Sequence, residues 1–208
     1  MSRADERDAM VRRLRQRGAL GRDSTAAALR AVPRHEFVPF EARESAYEDR
    51  PLRIGAGQTI SAPHMVAKMT DLLALDTGDR VLEIGTGCGY HAAVTAAVVA
   101  PEPVYSVEFE PSLAASARER LARLGYDVEI RVGDGHEGWP EHAPYDAAYL
   151  TCAPTELPTA VTEQVRPGGV VVGPVGEGSQ TLVRVRRRAD GSLDRETHGA
   201  VRFVPMRE

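Results

Sequence analysis

The segment "VLEIGTGCGY", residues 81–90, constrains the fold more than any other stretch. A short apolar run meets three glycines spaced one residue apart, Gly85, Gly87 and Gly89, and an alanine-rich helical pattern follows. Strand, glycine turn and helix in that order open a parallel βαβ unit. Glycines there let the backbone turn sharply and let a ligand approach with no Cβ in the way. The alternation continues downstream. "PVYSVEFE", "VEIRVGDG" and "YDAAYLTCA" read as strands, and "SLAASARERLARLG" and "LPTAVTEQV" as helices. "RPGG" reads as a turn, and "VVVGPVG", "TLVRVRRR" and "AVRFVPM" read as three late strands. The expectation is an α/β fold with a Rossmann-like doubly wound sheet, mostly parallel, carrying an antiparallel strand near the C-terminus.

Upstream, residues 4–19 and 24–31 read as amphipathic helices ended by Gly18 and Gly21. "VPRHEFVPF" holds two prolines and reads as a turn or extended segment, and "SAYEDRPLRIGAGQTIS" has no helical period. Ser61 and Pro63 then mark a helix start, with Met65, Val66, Met69, Leu72 and Leu73 at helical spacing. A chain of 208 residues, 42% hydrophobic, has enough for one core. It reads as a single domain over 1–208. Residues 1–60 are an N-terminal helical and loop extension, and residues 61–208 are the Rossmann-like core.

The net charge of −4 argues against nucleic-acid or anionic-membrane partners. No apolar run reaches about 18 residues, and the charged N-terminus lacks the apolar region of a signal peptide. Cys88 and Cys152 fit no zinc spacing, and the histidines form no metal-binding pair. These features suggest a cytoplasmic protein with reduced thiols and no metal.

The acids at the strand ends narrow the ligand. The loop is GxGxG rather than GxGxxG, and Glu83 stands two residues before its first glycine. A carboxylate there would repel a phosphate and suit a cationic ligand. Glu108, 19 residues after Gly89, ends the second strand, where an acid can accept from ribose hydroxyls. Asp134 ends the third strand and can accept from an exocyclic amine. Each feature alone has a plain reading: a structural glycine turn, a solvated strand end, a turn former. Together, in order on three consecutive strands, they point to S-adenosylmethionine, a nucleoside with a positive end and no phosphate.

The chain resembles the protein-L-isoaspartate O-methyltransferases from about "VPRHEFVP" to "VRFVPM". The blocks "GQTISAPHMVAKM", "VLEIGTGCGY", "GDGHEGWPEHAPYDAAYLTCAP" and "LPTAVTEQVRPGGVVVGPVG" follow in that family's order. "TISAPHM" is specific to it, whereas the glycine loop is shared with other S-adenosylmethionine methyltransferases. The resemblance implies methylation of the free carboxylate of L-isoaspartyl residues in damaged proteins. It also implies a sheet whose last strands are reordered. Carried over by motif, Ser61 is the active-site residue, and Thr59, Ile60, Ala62 and His64 line substrate and cofactor. Gly85, Thr86, Gly87, Gly89, Glu108, Asp134 and Gly135 are cofactor contacts, with Glu83 beside them, and Gln180 is a further pocket residue. Cys152 departs from the alanine expected in that block. The implied partners are isoaspartyl proteins and peptides, met by a monomer.

Other readings stand beside these. Ser61 can be the N-cap of the helix at Pro63, and His64 can be a helix-start residue. Asp49 and Glu48 read as solvated, and the arginines of "VRVRRR" as the outward face of a late strand. An aspartate methyltransferase that tailors one dedicated peptide, or a non-catalytic peptide-binding homologue, are the alternative functions. The loop "GQTISAPHM" lacks acids, lysine and arginine, which suits a site that must admit an anionic acceptor.

Overall fold

The computed structural model describes residues 2–207. Helix α1 (Arg3–Gln16) opens with a capping box: the Ser2 hydroxyl accepts from the Asp5 N–H, and the Asp5 carboxylate accepts from the Ser2 N–H. Helix α2 (Asp23–Ala31) follows. "VPRHEFVPF" is not purely extended. It holds one 3₁₀ turn at Arg34–Glu36 and leads into another at Phe40–Ser45, each entered from a proline, Pro33 and Pro39. The next stretch forms a small antiparallel hairpin, β1 (Leu52–Gly55) and β2 (Gln58–Ile60), in which Leu52 faces Ile60. Its turn needs positive φ at Gly55, Ala56 and Gly57, which two glycines make tolerable. Helix α3 (Pro63–Leu73) begins with Pro63 in its first turn and buries Val66, Met69, Thr70 and Leu73.

Strands and helices then alternate as expected. They are β3 (Val81–Ile84), α4 (Tyr90–Val99), β4 (Val104–Glu108), α5 (Pro111–Leu124), β5 (Val128–Val132), β6 (Tyr145–Leu150), α6 (Thr159–Gln164), β7 (Val165–Val175), β8 (Gln180–Arg187) and β9 (Leu193–Val201). Seven strands make one sheet in the order β5-β4-β3-β6-β7-β8-β9. The pairings from β5 across to β7 are parallel, and β8 runs antiparallel to both its neighbours. The α/β, mostly parallel sheet with an antiparallel strand near the C-terminus therefore forms. β4 and β5 extend one way from β3, and β6 and β7 the other. The switch point falls between β3 and β6, and the carboxyl ends of the strands there open a crevice for a ligand.

Both faces of the sheet are covered. Val81, Tyr149 and Val172 on one face share a core with Val11 and Leu14 of α1, Leu29 of α2, and α3 to α5. Leu82, Ile84, Val107 and Leu150 on the other pack with Val161 of α6 and the edge of Trp139. Period-2 alternation decides which side chains go where, and this matters at Glu83.

Two expected elements differ. "RPGG" lies within β7 rather than in a turn before it: Val165 pairs with Tyr145 and Val170 with Ala147, so the extra residues bulge out between them. "AVRFVPM" is only partly strand, because β9 starts at Leu193 and ends at Val201. Beyond it, Phe203 bonds through both its N–H and its carbonyl to the Gln180 side chain, which draws the tail off the sheet.

Candidate active site

A cavity, open at its mouth, lies at the carboxyl ends of β3 and β4. Gly85, Thr86 and Gly87 form its floor, Ile84 and Val107 an apolar side, and Glu108 a charged one. Gly85 has φ +95°, and a Cβ there would sit 2.4 Å from the Thr151 hydroxyl oxygen. Only glycine satisfies both conditions. Glu108 is buried at the end of β4. One oxygen accepts from the Gly87 N–H at 2.8 Å and the other from the Glu110 N–H at 2.9 Å. The carboxylate is thus tied between the glycine loop and the start of α5, with acceptor capacity left over.

Glu83 is placed differently from expectation. It is fully buried and absent from the cavity wall. Strand alternation turns it toward the helices while Ile84 faces the cavity side. Register puts Ser106 of β4 and Tyr149 of β6 beside it. Both hydroxyls donate to its carboxylate, at 2.5 and 2.8 Å, and Ser106 in turn bonds Thr86. Burial pushes the Glu83 carboxyl up to about 8, against the lowering effect of these two donors. At neutral pH it holds a proton and braces the loop from beneath, so it is not an anion facing a cationic ligand.

Another wall of the cavity is Gln58, Thr59, Ile60 and Ser61, from β2 and the residue after it. Ser61 is not the cap of α3. The N-cap position is Ala62, without a side-chain cap bond. Asp49 does that work from outside the helix: one carboxylate oxygen accepts from the His64 N–H and faces the His64 Nδ1, both at 2.9 Å. Asp49 is therefore engaged rather than merely solvated, and His64 is bound to it outside the cavity wall. Ala62 also lies behind the wall. The Ser61 carbonyl accepts from the Arg34 guanidinium at 2.8 Å.

Three further expected contacts sit apart from the wall. Gly89 enters α4 at φ +86°, and a Cβ there would strike Leu121 of α5, so its part is packing. Asp134 accepts through one oxygen from the His136 N–H and faces the His136 ring, capping a 3₁₀ turn next to Gly135. Burial raises its carboxyl, but the His136 bonds outweigh that and leave it lowered. Gln180 is committed to Phe203 and lines a separate hollow. Gly135 does reach the cavity. Cys152 lines it too, with its thiol pushed up to about 12 by burial. Burial also raises Cys88, so neither cysteine is an activated nucleophile. Among the described residues, no cluster of three or more His, Cys, Asp or Glu could hold a metal. No helix there is long and apolar enough to cross a membrane.

A model of the protein-L-isoaspartate(D-aspartate) O-methyltransferase family matches residues 5–208. The chain belongs to that family. It is 50% identical over 205 residues to protein-L-isoaspartate O-methyltransferase 2 of Archaeoglobus fulgidus, covering 98% of this chain and 93% of the relative. It is 48% identical to the Methanopyrus kandleri protein-L-isoaspartate O-methyltransferase, covering 96% and 90%. A solved protein-L-isoaspartate O-methyltransferase superposes with a TM-score of 0.86 at 32% identity over 96% of this chain. This chain spans 65% of that longer one. A Plasmodium falciparum structure, titled a putative member of the family in complex with S-adenosyl-L-homocysteine, shares the fold at TM-score 0.83 and 22% identity. It covers 97% of this chain and 98% of that one.

In this member of the family one wall comes from the tail beyond β9. Val204, Pro205, Met206 and Arg207 all line the cavity. The Met206 N–H donates to the Ala153 carbonyl, and the Ala153 N–H donates to Val204. Arg207 pairs with Glu110 and lies over the Phe109 ring, 4.7 Å from its centroid. The one sequence hint was the block "VRFVP", whose prediction as a strand hid its use as a wall.

Proposed function

We propose that this chain is a protein-L-isoaspartate O-methyltransferase acting on damaged proteins. It would transfer a methyl group from S-adenosylmethionine to the free α-carboxylate of L-isoaspartyl residues. One observation carries the reading: the acceptor loop specific to the family, Thr59–Ser61, and the glycine loop wall a single cavity. The cofactor fits the residues present. Gly85–Gly87 give a floor with no side chain in the way, and Glu108 has acceptor capacity for ribose hydroxyls. Ile84, Val107 and Leu113 suit an aromatic base, with Gly135 beside them.

When bound, S-adenosylmethionine supplies a sulfonium methyl that an oxygen nucleophile can take. An α-carboxyl ionises near 3.3–3.7, roughly, so the acceptor is already an anion at neutral pH. This chain therefore needs no general base in the cavity. Ser61 donates a hydrogen bond to the acceptor carboxylate, and Thr59 and Ile60 hold the peptide beside it. Alignment and exclusion of water are the main tasks, and positioning alone can supply about 7–11 kcal/mol. The methyl ester then cyclises to a succinimide without help, and hydrolysis of the ring restores part of the normal aspartyl linkage. The free thiols Cys88 and Cys152 suit the reducing cytoplasm.

The test uses tritiated S-adenosylmethionine and paired peptides carrying isoaspartate or aspartate at one site. Base-labile label is expected on the isoaspartyl peptide alone. Label on neither peptide overturns the reading, and label on the aspartyl peptide alone replaces it with peptide tailoring.

A further inference from the structure

Arg34 has no exposed surface, yet no carboxylate lies within ion-pair distance of it among the described residues. Its guanidinium is spent on backbone carbonyls. Nε donates to Ala46 at 2.8 Å, Nη1 to Ser61 at 2.8 Å and Nη2 to Arg50 at 3.4 Å. Its flat face lies 4.9 Å from the centroid of Tyr90, the first residue of α4 beyond the glycine loop. Burying a cation without a counter-ion costs several kcal/mol, and a well-packed apolar side chain would be cheaper. Stability alone does not explain it.

The geometry offers another use. In a trans peptide the C=O and N–H point in opposite directions. With the Ser61 carbonyl locked onto Arg34, the N–H of the same peptide unit, belonging to Ala62, points away from Arg34. That N–H donates to no protein acceptor among the described residues, although Ala62 is buried. Ser61 itself lines the cavity.

We propose that Arg34 is a positioning residue for the methyl acceptor. It locks the Ser61–Ala62 peptide and so holds Ser61 at the cavity wall as a fixed donor for the isoaspartyl carboxylate, and its uncompensated positive charge favours that anion. This rests on the acceptor chemistry proposed above. The charge argument fixes the kinetic signature. The carboxylate oxygen forms its bond to the methyl carbon as the carbon–sulfur bond breaks, and the bonding pair leaves with sulfur. Anion and sulfonium neutralise each other along the way. A buried cation therefore stabilises the bound acceptor more than the transition state. Its loss should raise KM and leave kcat unchanged or modestly higher.

The test compares the full-length protein with Arg34→Lys and Arg34→Met, using an isoaspartyl peptide and, separately, S-adenosylhomocysteine. Arg34→Met is expected to raise peptide KM about 30-fold, with kcat within threefold and cofactor-product Kd within twofold. Arg34→Lys keeps the charge but not the fork, and should raise KM about tenfold. Unchanged peptide KM in both variants overturns the proposal, as do equal losses of peptide and S-adenosylhomocysteine binding, which mark a general prop. If the variants do not fold, the wild-type protein decides. Its Ser61 amide resonance should shift when the isoaspartyl peptide binds beside S-adenosylhomocysteine, and no shift overturns the proposal. A wild-type protein that methylates no isoaspartyl peptide refutes the acceptor reading itself, which the same assay separates from a failure of Arg34.

Discussion

The two sides of the cavity are built on different principles. On the methyl-donor side the backbone is placed by the sheet: β3 and β4 pair in parallel and deliver Gly85 and Glu108 to adjacent strand ends. On the other side the only ladder is the small β1–β2 hairpin, which ends at Ile60, one residue before Ser61. The loop is held by side chains reaching from elsewhere, Arg34 to the Ser61 carbonyl and Asp49 to the His64 N–H. A sheet-built wall tolerates surface change but not change in its backbone conformation. A wall built by side chains can be loosened one bond at a time, without touching the other wall.

The sharpest way to break this division is Gly85→Ala. The added methyl meets the Thr151 oxygen at 2.4 Å on a backbone at φ +95°. Thr151 is itself bonded to the Ile84 and Gly85 carbonyls, so it cannot swing away cheaply. Strain of this kind costs about 1–3 kcal/mol per residue. With the floor displaced as well, S-adenosylhomocysteine should bind more than about 100-fold more weakly by calorimetry. A Kd within twofold of wild type would mean the floor is not set by the glycine.

How far the site was legible follows the same division. Glycine spacing and the distance to Glu108 are local along the chain, and the fold brings both to one cavity. Glu83 was misread because its partners depend on register: Ser106 and Tyr149 lie beside it only after β4 and β6 pair with β3. A strand buried on both faces does have an acid that can point into the core, and that was the available signal. Gln180 and the tail meet across 23 residues through an amide–backbone bond that no pattern encodes. Arg34 and Asp49 sit in segments without periodicity, where a charged residue looks solvated by default. The acceptor loop was found only through its family motif, and its supports were not.

Beneath the methyl-donor wall, Glu83→Gln tests whether the brace is a neutral carboxyl. The folded-state pKa, about 8, lies above the unfolded value. Between the two, the folded protein holds a proton that the unfolded chain has released. Stability from this group is thus fully present below about 4.5, falls as pH rises toward about 8, and is flat beyond. The amide of glutamine is neutral like the protonated acid; its oxygen accepts from Tyr149, and its NH2 can donate to Ser106 once that hydroxyl turns its own proton to Thr86. Wild-type stability should fall by roughly 2 kcal/mol between pH 5 and 7, and that of Glu83→Gln by clearly less. Parallel melting curves across this range would show that Glu83 does not carry the buried proton.

The smallest effect should come from Asp49→Ala, and it bears most directly on the acceptor wall. The substitution removes the acceptor for the His64 N–H at the first turn of α3 and the partner of the His64 ring, along with a long contact to Arg17 at 3.5 Å. Loss of a cap costs about 1 kcal/mol, which is roughly 2–4 °C of Tm for a chain of this size. If the acceptor wall is held independently of the sheet, peptide KM should rise about threefold while S-adenosylhomocysteine binding stays unchanged. Asp49→Asn should restore most of both losses, because an amide oxygen caps as well as a carboxylate. Matched losses in peptide and cofactor-product binding would show that the two walls move as one body, and the division of labour drawn here would fail.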